Sequence, residues 1–227
     1  MGRAKELVLK VIPAKIANDF IRKHHYSGKV VNNSKLHFGV FFEGRLHGVM
    51  SYGSSLDKSK IIGLVSGTKW NEFLELNRMA FDSILPRNSE SRAISQSIKL
   101  IKKNAPHIKW IVSFADGCSC GDGTIYRASN FILTDIRENE ALRINPQTGE
   151  KVHTITAFHR KIKGFKDWKA AEGYQFRYIY FIDKEYRKRL TVPEIPFSKI
   201  DELGAGMYKG EKITVKERHI DKYCKNT

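Results

Sequence analysis

Residues 86–116 read PRNSESRAISQSIKLIKKNAPHIKWIVSFAD, and this stretch organises the rest of the chain. Ile94, Ile98 and Ile101 recur at helical spacing, so an amphipathic helix should begin just after Asn88. Asn88 followed by Ser91 is a cap signal that lacks the Glu of a full capping box. Beyond Pro106, KWIVSFAD is almost continuously apolar, the signature of a strand covered on both faces. That strand ends at Asp116 in the loop GCSCGDGT, and a short helix (IYRASN) and another strand (FILTDIR) follow.

Working outward, Glu6–Ile12 reads as a strand, and Pro13 opens a helix that should end near Tyr26, where Ser27-Gly28 breaks the pattern. LHFGVFF and LHGVMSYG, joined by Glu43-Gly44-Arg45, form a hairpin signal. SSLDKSKIIGLVSGTKW reads as a loop, and Phe73–Phe81 alternates as a strand does. Towards the C-terminus NPQTGE is a turn, while KVHTITAFH and QFRYIYFI are expected to be strands. The order fits one mixed α/β sheet. A single domain over 1–227 is expected, with its core at about 4–160 and a C-terminal strand and basic extension over 161–227.

The 227 residues carry 40 Lys and Arg against 24 Asp and Glu, a net charge of +16 that favours polyanionic partners. The chain is 41% hydrophobic, enough for a real core, which excludes an intrinsically disordered chain. No apolar run reaches the roughly 20 residues of a membrane span, and MGRAKELVLKVI lacks a signal-peptide core. With three cysteines, Cys118, Cys120 and Cys224, a reducing, cytoplasmic location is expected and no structural zinc.

Four features could carry chemistry. A helix N-terminus at Asn88 exposes N–H groups that attract phosphate, and Arg87, Ser89, Ser91 and Arg92 would add donors. An ordinary polar cap explains the same residues. Asp116, at the end of a strand, suits a general base, a metal ligand or an acceptor for an exocyclic amine. A turn-capping Asp would look the same. Of His24 and His25, at most one faces any given site, as a metal ligand or as a partner of the helix dipole. Finally, basic and aromatic residues interleave late in the chain. Lys161, Lys163, Lys166, Trp168, Arg177, Arg187, Lys188 and Arg189 are the expected nucleic-acid-binding set, although a solvated face explains the lysines equally well.

In order along the chain stand His25-Tyr26-Ser27, Glu75-Leu76-Asn77-Arg78, Asn88-Ser89-Glu90-Ser91-Arg92, Ser113-Phe114-Ala115-Asp116 and the run from Gly123 to Phe131. Together they resemble the Mom family of phage DNA-modification proteins over about residues 15–135. The resemblance implies a divergent GNAT (N-acyltransferase) fold with a mostly antiparallel central sheet. It also implies an enzyme that converts the N6 amine of adenine in duplex DNA to N6-(carbamoylmethyl)adenine, so that phage DNA resists restriction. Its functional positions fall on His25, Tyr26, Arg78, Ser91, Asp116 and Tyr126, with iron connected to His25.

Acyl-coenzyme A is a doubtful donor, because RNSESRAIS contains no glycine to let the backbone approach a pyrophosphate. A glycyl group on N6 is an isomer of the carbamoylmethyl product, so glycyl-tRNA is the hypothesised donor, with a metal-assisted rearrangement to follow. Double-stranded DNA and tRNA are the partners to expect, a homodimer is one assembly considered, and no membrane is expected. Two other functions stay open: an acyl-coenzyme A N-acetyltransferase, and a DNA-binding protein without activity.

Overall fold

A computed structural model describes residues 2–208 and 211–214; Cys224 and the end of the basic tail lie outside them. Strand β1 (Val8–Val11) leads through Pro13 into helix α1 (Ala14–His24), and the β2–β3 hairpin (Ser34–Phe42, Arg45–Gly53) follows. Glu43 and Gly44 both take positive φ, as a two-residue hairpin turn demands. After a short helix α2 (Lys58–Ile62) come β4 (Phe73–Phe81), α3 (Ser89–Asn104), β5 (Trp110–Asp116), α4 (Thr124–Arg127) and β6 (Ile132–Glu138). The small hairpin β7–β8 (Leu142–Ile144, Lys151–His153), helix α5 (Thr154–His159), β9 (Tyr174–Phe181), α6 (Ser198–Glu202) and the β10–β11 pair (Met207–Tyr208, Glu211–Lys212) complete the order.

Seven strands form one sheet in the order β1-β2-β3-β4-β5-β9-β6, with β9 entering between β5 and β6. The β1–β2, β2–β3 and β3–β4 pairs are antiparallel, whereas β4 and β5 run parallel. The expected mixed, mostly antiparallel α/β sheet is therefore present. No helix among the described residues is long and apolar enough to cross a membrane.

Two expectations need correcting. KVHTITAFH is a strand only over Lys151–His153; the rest is helix α5, started by the His153 side chain accepting the Ile155 N–H. The tract after β3 is not all loop, because the Asp57 side chain accepts from the Lys60 N–H and starts α2.

The described chain falls into two compact units, and it passes between them within β5, β6 and β9. The first comprises residues 1–114, 124–134 and 177–195. Its core stacks Phe73 on Trp110, ring centroids 4.5 Å apart, among Leu64, Val65, Val112 and Ile179. A second cluster seats the buried face of α1, Ala17 and Ile21, on Val49 and Ala80. Each buried Val, Leu, Ile or Phe among them contributes on the order of 1.5–3 kcal/mol by leaving water. The second unit, residues 115–123, 135–176 and the described residues from 196 onward, has a smaller apolar cluster of Val152, Ala157 and Phe165.

Candidate functional site

In the first unit, β4 and β5 pair only through Phe73↔Trp110, Leu74↔Ile111 and Glu75↔Val112. Past that point the strands part. A β-bulge at Asn77 marks the same place on β4, since Ser51 faces Arg78 while Tyr52 faces Leu76. Bulges of this kind re-aim side chains and interrupt pairing.

Beside the parting, Ser113 Oγ lies 3.1 Å from the Leu76 carbonyl and 2.8 Å from Tyr126 Oη. Tyr126 is buried, its ring packed on Phe131 and Tyr178 at 5.4 and 5.1 Å. Its phenol oxygen is thus held in place by neighbours on three elements. Glu75, the last β4 residue to pair with β5, has its carboxyl pushed above the ordinary value by burial, with Asn77 and Arg78 pulling it back. The sequence displays Glu75 within a motif but gives no sign of this environment.

Arg78 ties β4 to the turn after α1: its Nε donates to the Lys29 carbonyl at 3.1 Å and its Nη1 to the Asn77 carbonyl at 2.8 Å. That turn carries His25 and Tyr26, whose rings lie 4.3 Å apart. His25 Nδ1 accepts the Ser27 N–H at 3.1 Å and lies 2.8 Å from Ser27 Oγ, which leaves the proton of the neutral ring on Nε2. Arg78, His25 and Tyr26 are therefore one local construction.

The resemblance connects iron with His25. Among the described residues no three His, Cys, Asp or Glu side chains gather where they could hold a metal ion. Among the described residues His25 therefore lacks the further donors that an iron centre of usual ligand number takes.

At the start of α3, Asn88 adopts a left-handed φ of 68° and no side chain caps the helix. Ser89 is turned inward, its Oγ donating to the Pro86 carbonyl, and Ser91 Oγ donates to the Asn88 carbonyl at 3.2 Å. The helix end opens on a cavity of about 410 Å³. Lys5, Arg87, Arg92 and Lys99 line it together with Asn88, Ser91 and Tyr180, and no carboxylate does. Four cations and a helix N-terminus converge there, which suits an anionic, phosphate-bearing ligand. Of the expected donor-binding residues, Arg87, Asn88, Ser91 and Arg92 share this cavity, and Ser89 supports it from below. Lys5 and Tyr180 come from distant segments and Lys99 from farther along α3, and no local motif marks them.

In the second unit, Asp116 Oδ1 accepts the Cys118 N–H and Gln175 Nε2, each at 2.9 Å. Its backbone carbonyl accepts from Ser119, Cys120 and Gly121 at 3.3, 2.9 and 3.1 Å. The loop therefore winds around Asp116, which performs the turn-capping role as well as any other. Gly117 is required in this loop, because a Cβ there would lie 2.6 Å from the Phe176 ring and from the Tyr174 carbonyl. Burial, reinforced by the charge of Asp116, pushes the Cys118 thiol up to about 11. It is a poor nucleophile at neutral pH.

The expected DNA-binding residues divide between the units. In the first, Arg177 donates to Thr134 Oγ1 and to the Thr134 carbonyl, both at 3.0 Å. Arg187 pairs with Glu194 at 2.7 and 2.6 Å, Lys188 with Glu185 at 2.7 Å, and Arg189 lies 4.4 Å over the Tyr186 ring. In the second, Lys161, Lys163 and Lys166 are exposed, while Trp168 packs on Phe165 at 5.3 Å.

The sequence profile described as the Mom protein family matches residues 6–199. Over 197 residues the chain is 37% identical to the methylcarbamoylase mom of Escherichia phage Mu, covering 83% of this chain and 80% of that protein. Among solved structures it is similar to spermidine/spermine N-acetyltransferase of Vibrio cholerae, at 8% identity and a TM-score of 0.49, covering 82% of this chain and 99% of that one. It is also similar to a GNAT family acetyltransferase from Elizabethkingia anophelis, at 13% identity and a TM-score of 0.46, covering 78% and 98%.

Proposed function

The chain belongs to the Mom protein family, and from that premise we propose that it is a transferase that modifies adenine in duplex DNA. The product is N6-(carbamoylmethyl)adenine, made in the host cytoplasm, where it protects a phage genome from restriction. The name of the phage Mu relative, a methylcarbamoylase, supports the class of group transferred.

The observation that carries the donor side is the cavity at the start of α3, with four cations, an uncapped helix end and no carboxylate. Such a lining recognises phosphates. Asn88 takes the left-handed backbone that a glycine would supply, yet keeps a side chain at the cavity mouth. That side chain stands where a glycine would let a pyrophosphate reach the backbone. The donor is glycyl-tRNA, its acceptor-end phosphates held by Arg87, Ser91 and Arg92.

In the first step the N6 nitrogen attacks the glycyl ester carbonyl and the bond to the tRNA ribose oxygen breaks. The amine proton passes to a carboxylate, the role that the family resemblance assigns to Asp116, and ends on the released ribose hydroxyl. Tyr126 donates to the developing oxyanion or to the leaving oxygen. Tyr26, exposed beside His25, offers a face on which an extruded adenine stacks. An isomerisation follows in which N6 leaves the carbonyl carbon and bonds to the methylene, while the glycyl nitrogen leaves the methylene and bonds to the carbonyl carbon, so no atom is gained or lost.

Purified protein incubated with glycyl-tRNA labelled in the glycyl carbons and with duplex DNA tests this. Label in the adenine base is the expected result. DNA free of label while tRNA stays charged would contradict it.

A further inference from the structure

Helix α5 of the second unit has two apolar faces. One buries Ala157 against Val152 and Phe165. The other holds Ile155 and Phe158 three residues apart, on one side of the helix, and leaves them 55% and 78% exposed. A nearly bare phenyl ring on a helix that already has a core face is not explained by folding, because the ring buries almost nothing.

Its surroundings are cationic. At the end of α5 the chain turns back at Lys161, a lysine held at a left-handed φ of 52°. The returning segment forms with the helix a groove of about 670 Å³, lined by Phe158, Lys161, Lys163, Lys166 and one carboxylate, Asp167. Lys161, Lys163 and Lys166 are exposed and have no carboxylate partner among the described residues. The neighbouring Arg160 is paired with Glu150 at 3.2 Å. An apolar tip flanked by unpaired ammonium groups matches a partner with phosphates outside and flat apolar rings within. Duplex DNA has that profile, and proteins that unstack it insert such wedges.

We infer that Phe158 is a wedge that enters the base stack of duplex DNA, with Lys161, Lys163 and Lys166 gripping the flanking phosphates. The inference rests on the DNA-modifying reading and deepens it, because an amine recessed in a duplex is reached only by extruding its base. The wedge loosens the stack and the lysines hold the strands against restacking. Ile155 widens the apolar tip.

The test uses the full-length protein and a duplex carrying 2-aminopurine next to a target adenine, whose fluorescence rises when its neighbour unstacks. Wild type should bind in a salt-dependent way and brighten the probe. Phe158→Ala should melt like wild type, bind the matched duplex about tenfold more weakly, and fail to brighten it. Phe158→Trp should keep both properties. A duplex already mismatched at the target adenine should restore binding by Phe158→Ala, which a merely structural role for the ring would not produce.

If wild type brightens the probe and Phe158→Ala does so equally, the wedge is wrong while the DNA-modifying reading stands. If Phe158→Ala instead loses affinity for tRNA or for anionic phospholipid vesicles and keeps that for DNA, the surface serves another partner and the inference fails. A wild type that binds no duplex at any salt concentration overturns the inference together with the reading it rests on.

Discussion

Ser113 Oγ stands 2.8 Å from Tyr126 Oη at the place where β5 leaves β4. The Leu76 carbonyl, 3.1 Å from the same serine oxygen, can only accept. Ser113 has one hydroxyl proton, which it donates either to that carbonyl or to the Tyr126 oxygen.

Tyr126→Phe keeps the ring contacts with Phe131 and Tyr178 and removes only this hydroxyl. Stability should fall by about 1 kcal/mol, the usual net value of one hydrogen bond. Adenine modification should fall by about 10²-fold or more if the phenol moves a proton. Thermal melting and the yield of modified adenine read the two effects separately. Unchanged yield would remove Tyr126 from the chemistry.

Reversing charge in the α3 cavity, with Arg87→Glu and Arg92→Glu together, should weaken glycyl-tRNA binding and reduce its salt dependence. Each lost phosphate contact lowers the log–log salt slope for a single strand by about 0.7. Filter binding at several salt concentrations measures it. A tRNA affinity and slope equal to those of wild type would show that the donor phosphates lie elsewhere.

Glu75 predicts a pH effect on stability. Burial raises its carboxyl above 4.5, so the folded chain holds that proton to higher pH than the unfolded chain does. The resulting stabilisation is complete below the unfolded value and is lost as pH rises through the folded one. Glu75→Gln has no such step. Its melting temperature relative to wild type should therefore climb as pH rises from the ordinary glutamate value through the higher folded one. A difference independent of pH would mean that the carboxyl titrates as it does in water.

The Cys118 thiol, held near 11 by burial and by Asp116, should be alkylated at neutral pH about 10²-fold more slowly than an ordinary thiol. Asp116→Asn takes away the nearby negative charge and should speed the reaction. Peptide mass spectrometry after timed iodoacetamide exposure measures both rates. Fast modification of wild type would show a thiolate that this environment does not support.

The framework was readable where periodicity is long. The isoleucines of α3 and the apolar run of β5 declare their elements because a period sustained over several turns has few rival interpretations. Short elements escaped. Val152, Thr154, Ile155 and Thr156 have strand-like composition, yet the His153 cap makes a helix begin within them. At the site, Arg87, Ser91 and Arg92 were legible because a helix start announces its own chemistry. The anchoring of Arg78 by the carbonyl of Lys29, and the exposure of Phe158, depend on residues far apart or on what fails to cover a side chain. No local pattern records either.

The most direct measurement is nucleoside mass spectrometry of DNA from cells expressing the wild-type chain or Asp116→Asn. The account predicts 2′-deoxyadenosine enlarged by one glycyl-sized unit in the wild-type sample and little or none with Asp116→Asn. Unmodified adenine in the wild-type sample, or full modification with Asp116→Asn, would contradict it.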